Sequence, residues 1–203
     1  TKIADVTGDL QKYGVEGSML KIGSAINELT QNSTASGQFI SDYMMRLSGI
    51  ATQAHMTSAE LAGLAAAADA TGQEVEVSAT AMNKFVVQLQ THYKTVAKAA
   101  GMSAKELHSM LEEGRTTDAV LAVLQKLNEK GGLSMLAPLM KDLGSDGSRL
   151  TASLSTLAQN IDLVREQVAL SNVAFKSGTS VINEYNVKNQ NAAAIWEKML
   201  NSW

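Results

Sequence analysis

Residues 74 to 101 read EVEVSATAMNKFVVQLQTHYKTVAKAAG, and the fold turns on the period of that stretch. Its opening EVEVS alternates glutamate with valine, which alone is the pattern of a half-buried strand. The longer pattern overrules it. Val75, Ala79, Met82, Val86, Leu89, Tyr93, Val96 and Ala100 fall at steps of four and three without a slip. A helix over about 75–100 is predicted, with Gly101 as its stop. At about 1.5 Å per residue it is roughly 40 Å long.

The same spacing recurs on both sides. Upstream, Val15, Met19, Ile22, Ile26 and Leu29 form one ladder, and Phe39, Ile40, Tyr43, Met44, Leu47, Ile50 and Ala51 form another. A shorter helix runs from Thr57 to about Ala70 and ends at Gly72. Downstream, helices are read from Ser103 to Glu113, stopped by Gly114, and from Thr117 to about Lys130, stopped by Gly131 and Gly132. A brief turn follows around 137–143, where Pro138 suits a first-turn position. Leu150, Leu154, Leu157, Ile161, Val164 and Val168 then make a second strict ladder, predicting one long helix over about 148–173. Gly178 marks a bend before a last segment carrying Val181, Ile182, Tyr185, Ala192, Ile195, Trp196, Met199 and Trp203. The polar run NVKNQNAAA inside that segment is poorly patterned.

Neither strand pairs nor βαβ alternation can be read, so the expected class is all-α: a multi-helix bundle mixing short helices with long heptad-patterned ones. Composition agrees. The chain is 45% hydrophobic but only 4% aromatic, with a single proline, so alanine, leucine, valine and methionine must supply the core. The expected organisation is a bundle region over 1–144, then a long helix and a C-terminal helix over 145–203, packed on it or extending as coiled coil. The beginning TKIADV, without an initiator methionine, reads as a fragment of a longer protein.

Several function classes lose support here. With no cysteine there is no disulfide scaffold, thiol nucleophile or cysteine-ligated metal. A net charge of −3 without a basic block gives no electrostatic footprint for nucleic acid. The longest apolar run, 61–68, is far short of the roughly 20 residues of a membrane span. His55, His92 and His108 are the only histidines, and none lies in a metal-ligand motif. No G-x-S-x-G elbow is present. The acid pairs Glu74/Glu76 and Glu112/Glu113 lie at helix ends, where the first suits a helix N-terminus and the second is solvated. The loop DLGSDGSRL carries Asp142 and Asp146 but lacks the third-position oxygen and the glutamate of a calcium loop. The expectation is a non-enzymatic chain without cofactor or metal.

One echo has a physical reading. Met56-Thr57-Ser58-Ala59-Glu60-Leu61 matches Met102-Ser103-Ala104-Lys105-Glu106-Leu107. Thr57 and Ser103 stand at helix N-caps with Glu60 and Glu106 three residues on, as in a capping box. Met56 with Leu61, and Met102 with Leu107, are placed for a hydrophobic staple. The four residues are therefore read as structural caps, not as catalysts.

The stretches MTSAELAGLAAAADATGQEVEVSATAMNKFVVQL, LAVLQKL and LAPLMKDLGSDGSRLTASL, in this order, resemble the core region of phage tail tape measure proteins, from phages or prophages. The resemblance spans roughly 35–200. In that family a helix pair turns at a glycine into an acidic helix with alanine and threonine, here Gly72, Glu76, Ala79, Thr80 and Ala81. A leucine-aromatic-glycine turn, a small-residue segment and an arginine follow; Leu143, Gly144, Gly147 and Arg149 stand in similar order, with Leu143 in place of the aromatic. The resemblance implies a structural virion protein that sets tail length and acts in tail assembly and DNA ejection. It also implies a place in the lumen of the tail tube after synthesis in the bacterial cytoplasm. The implied partners are other tail proteins (tail tube, tail assembly chaperone, baseplate or tip), with homo-oligomerisation in the full-length protein. Two alternatives stay open: a peptidoglycan-hydrolase domain of a tail protein, and a bacterial coiled-coil adaptor unrelated to phage.

Overall fold

The computed structural model describes residues 2–130 and 147–201, and among them the regular elements are all helices. They are α1 (Lys2–Val6), α2 (Asp9–Asn32), α3 (Gly37–Gln53), α4 (Ser58–Ala70) and α5 (Val75–Ala100). There follow α6 (Ala104–Glu112), α7 (Thr116–Glu129), α8 (Gly147–Gln159), α9 (Ile161–Ser177) and α10 (Ser180–Asn201). The 74–101 stretch is helical over its whole ladder, so the valine alternation at its start is a helix N-terminus. The predicted stops at Gly131, Gly132 and Gly144, the turn around Pro138, and Asp142 and Asp146 lie outside the described residues.

The bundle is organised around α4, whose sequence SAELAGLAAAADA has almost no polar face. Every side chain from Leu61 to Ala68 is buried, as are Ser58 and Ala59. A helix apolar all round has to be enclosed. Here α9, α3, α2 and α5 enclose it. Alanine and glycine let those neighbours come close, and the closest approach is at Gly63. A Cβ built there would lie 2.5 Å from the Val168 Cα and 2.8 Å from both the Gln167 carbonyl oxygen and the Val168 nitrogen. Helix α9 runs antiparallel to α4: Gly63 meets Val168, and one turn earlier the buried Ser171 hydroxyl donates to the Ala59 carbonyl at 2.6 Å.

Around this axle the ladders turn inward. Ile40, Tyr43, Met44, Leu47 and Ala51 of α3 are buried, and so are Ala79, Met82, Phe85, Val86, Leu89, Val96 and Ala100 of α5. Helix α5 leaves ideal geometry at His92 (φ −130°, ψ 34°), directly after Thr91, whose hydroxyl bonds back to the Val87 carbonyl at 2.7 Å. That kind of back-bond bends helices.

The second strict ladder departs from expectation. The helix predicted over about 148–173 is two helices, broken at Asn160 (φ −107°, ψ 33°). The Asn160 side-chain amide donates to the Thr156 carbonyl at 2.8 Å, and its backbone N–H reaches the Thr156 and Leu157 carbonyls. Local bonding by asparagine competes with continuing the helix. Tertiary packing exploits the break: α8 lies on α5 and α7, whereas α9 turns onto α4 and α2. Leu150, Leu154, Leu157, Ile161, Val164 and Val168 all remain buried in the same core.

The first ladder is split differently. Gly14 adopts φ 69° inside α2, and of the spaced residues only Leu29 is buried, with Ile22 and Ile26 partly covered. Val15 and Met19 are 55% and 60% exposed.

Gly63 and Gly49 make opposing tests of this packing. Gly63→Ala should lower stability by about 1–3 kcal/mol, because the new methyl meets backbone atoms that cannot move independently. Gly49, mid-helix in α3, has nothing within 4 Å of a built Cβ, so Gly49→Ala should raise stability by up to about 1 kcal/mol. Urea denaturation midpoints of the two variants check both signs.

Candidate functional site

Helix starts account for the residues that the sequence singles out. The Thr57 hydroxyl accepts from the Glu60 N–H at 3.2 Å, and the Glu60 carboxylate accepts from the Thr57 N–H at 2.8 Å. At α6 the Ser103 hydroxyl accepts from the Glu106 N–H at 3.4 Å, but the reciprocal bond from the Glu106 side chain is not formed. The two sequence echoes thus have unequal geometry: a closed box at the largely buried α4 and a half-closed one at the more exposed α6. His55, just before the first cap, holds φ 54°. The neighbouring Met56 N–H bonds to the Ala51 carbonyl, so His55 occupies the left-handed residue that ends α3.

The other histidines are apart from it. His92 sits at the α5 kink, its Nδ1 2.7 Å from the Thr91 hydroxyl. His108 on α6 packs edge-on against Tyr93 at 4.4 Å between ring centres, with its Nε2 3.7 Å from Glu112. Tyr93, Lys94, Ala104, Lys105 and His108 line a surface cleft between α5 and α6. The cleft has two lysines and no acid among its lining residues, and nothing in it pairs a nucleophile with a base. Among the described residues no three of His, Asp and Glu are grouped to hold a metal ion.

The acid pairs separate as well. Glu74 meets Arg149 at 3.4 Å and Glu76 meets Arg46 at 3.8 Å, both at exposed positions that tie α5 to α8 and α3. Glu113 is held below the usual carboxylate range, first by the Ser109 hydroxyl and then by Arg115. Tyr43 is fully buried, its phenol has no hydrogen-bond partner among the described residues, and loss of solvent pushes its pKa up.

The contacts that bind helix ends across the bundle have no sequence signature. The Asp69 carboxylate, at the end of α4, accepts from the Ser36 N–H at the start of α3 at 2.7 Å. Asp9 at the start of α2 accepts from Thr7 at 2.9 Å and from the Ser58 hydroxyl of α4. The Lys21 ammonium donates to the Phe175 and Lys176 carbonyls at 3.3 and 3.2 Å, and lies 4.9 Å from the Tyr13 ring centre. A cation there complements the negative end of α9.

What the bundle leaves uncovered is apolar surface. Val15, Met19, Val173, Tyr185, Val187 and Trp196 are each more than half exposed. Helix α10 touches α2 only through its first turns: Val181 against Gly23, Ser180 with Asn27 and Glu28, Glu184 with Gln31. From Tyr185 on, its described side chains are all exposed. Such a surface can bury area against another protein.

Set beside known families, residues 1–133 match the family described as phage-related minor tail protein. That match takes in 133 of the 203 residues, and the chain belongs to this family. The stretch 56–89 lies inside the match, whereas LAPLMKDLGSDGSRLTASL at 136–154 lies beyond it. No curated protein and no solved structure matches significantly. The chain is thus a phage tail protein of all-α architecture, and no described helix is long and apolar enough to cross a membrane.

The helix-start geometry can be tested directly. Thr57→Ala should cost about 1–2 kcal/mol and Ser103→Ala less, since only the first box is closed. His55→Gly should stabilise by about 1 kcal/mol by relieving the left-handed backbone of a residue with a Cβ. Thermal and urea unfolding followed by circular dichroism would read all three.

Proposed function

We propose that this chain is part of a phage tail tape measure protein, which sets tail length and acts in tail assembly and in DNA ejection. The observation that carries the proposal is membership in the minor tail protein family, joined to a fold made of helices whose exposed features are packing surfaces. A ruler needs length proportional to residue number, and a helix supplies about 1.5 Å per residue. It works in the lumen of the tail tube, with tube, chaperone and tip proteins as partners. It acts by helix packing without catalysis: the cleft between α5 and α6 joins two lysines, a histidine and a tyrosine in no catalytic order.

Deleting the coding region for this chain in frame from the phage, and separately duplicating it, tests the ruler. Negative-stain microscopy should show tails shortened by the deletion and lengthened by the duplication. If the segment is laid out as continuous helix in the tail, the change approaches about 300 Å; if it stays a bundle, the change is several-fold smaller. Tails of unchanged length in both phages would overturn the reading. Incubation of the purified chain with peptidoglycan should release no soluble fragments, and reproducible release would overturn the non-catalytic part.

A further inference from the structure

From Val77 to Lys105 the sequence has no aspartate or glutamate but four lysines, at 84, 94, 98 and 105. The net charge of −3 is therefore +4 in this stretch and −7 in the remainder. The fold gathers three of these lysines, with Lys130, at the corner where α5 turns into α6. Lys94 and Lys105 line the cleft of about 320 Å³ between the two helices, beside the edge-on pair of Tyr93 and His108. Lys98 stands four residues beyond Lys94, about 6 Å along the same side of α5. Lys130, at the end of α7, brings its ammonium against Gly101, where a built Cβ would lie 1.6 Å from the Nζ. Lys84 lines a separate cleft with Glu76 and Arg149.

All four corner lysines are exposed, and none has a carboxylate partner among the described residues. Arg46, Arg115, Lys126, Arg149 and Lys188, by contrast, each form an ion pair. The neighbouring acids are placed elsewhere: Glu112 lies 3.7 Å from the His108 ring, and Glu106 and Glu113 line the next cleft over α6 with Arg115. Helix dipoles explain part of the corner. Lys98 and Lys130 complement the negative end of α5, but Lys105 lies in the first turn of α6, where a cation opposes the dipole. Lys94 reaches only the Tyr93 ring, at 5.9 Å from its centre. Two like charges thus border one cleft with nothing in the bundle to offset them.

We propose that this corner docks an acidic segment of a partner protein, with carboxylates on Lys94 and Lys98 and the segment lying along the cleft beside Lys105. Alternate residues of an extended chain are about 6.6 Å apart, which matches the spacing of the two α5 lysines. Charge complementarity selects a short segment over a nucleic acid, whose phosphates would run past the corner onto a surface of net −7. A second copy of this chain fits poorly. Its own alternating acids, Glu74 and Glu76, are held by Arg149 and Arg46.

The intact chain should bind a fluorescein-labelled hexaglutamate peptide, read by anisotropy, with a Kd below about 1 mM at low salt. Hexaglutamine with the same dye should not bind. Raising salt from about 0.03 to 0.3 M should weaken binding severalfold, because exposed charge pairs are screened. Lys94→Gln with Lys98→Gln should weaken it about tenfold and Lys105→Gln alone about threefold, with unchanged urea midpoints. The same changes at Lys12 and Lys176, exposed on α2 and α9, should leave binding as it was. No preference for hexaglutamate over hexaglutamine, equal weakening by the distant pair, or tighter binding of a thymidine oligonucleotide of equal charge would each overturn the proposal. So would a change in the mass of the chain by light scattering when Lys94 and Lys98 are replaced, since the occupant would then be a second copy. None of these outcomes bears on the tail-length role, which the phage deletions test separately.

Discussion

The contact between Gly63 and the backbone of α9 at Gln167 and Val168 is the constraint on which the rest of the bundle depends. Two helices can come that close only where one of them has no side chain, and Ala59, Ala66 and Ala67, about a turn from Gly63, keep side chains small along α4. Once α4 is enclosed, the remaining helices have their places. Helix α3 covers it with Tyr43, Met44 and Leu47, and α5 and α8 close the layer outside. The polar ties at its two ends, Asp9 to Ser58 and Asp69 to Ser36, then set α2 and α3 at the ends of the same axle. Because alanine buries little area per residue, the core depends on many close small contacts, which suits a chain with few aromatics.

That construction bears on what the protein does. The core takes most of the large apolar side chains, yet Met19, Tyr185 and Trp196 stay exposed. Protein assembly uses surfaces of this kind, with aromatic anchors and little charge at the centre. Several polar groups act at helix ends, as with Lys21 at the end of α9, Thr57 and Glu60 at the start of α4, and Arg149 beside Glu74. This arrangement belongs to a minor tail protein with apolar side chains exposed on its surface.

Much of this was legible in the order of residues. The ladder from Val75 to Ala100 marked its helix end to end, and Gly72, Gly101, Gly114 and Gly178 all take the left-handed conformation that ends a helix. The cap positions Thr57 and Ser103 were also visible, because a cap is a local affair of three or four residues. Less visible was the break at Asn160. The ladder from Leu150 to Val168 passes through it on one buried face, and periodicity senses only which face is buried. Nor did the spacing of Val15 and Met19 reveal that they lie outside, since a ladder is the same whether or not a neighbour arrives to cover it.

The sequence by itself determined the all-helical class, the caps at Thr57 and Ser103 and the glycine stops at Gly72, Gly101 and Gly114, because hydrophobic period, capping and glycine conformation act between residues at most a turn or so apart. Only the tertiary structure decided which apolar stripes became core. It placed α4 at the centre, packed α8 and α9 on different neighbours across the break at Asn160, and left Tyr185 and Trp196 of α10 exposed. The physical reason is that burial belongs to pairs of surfaces. A stripe of leucines or aromatics states a need for cover, and whether another helix, or another molecule, meets that need depends on contacts between residues far apart in the chain.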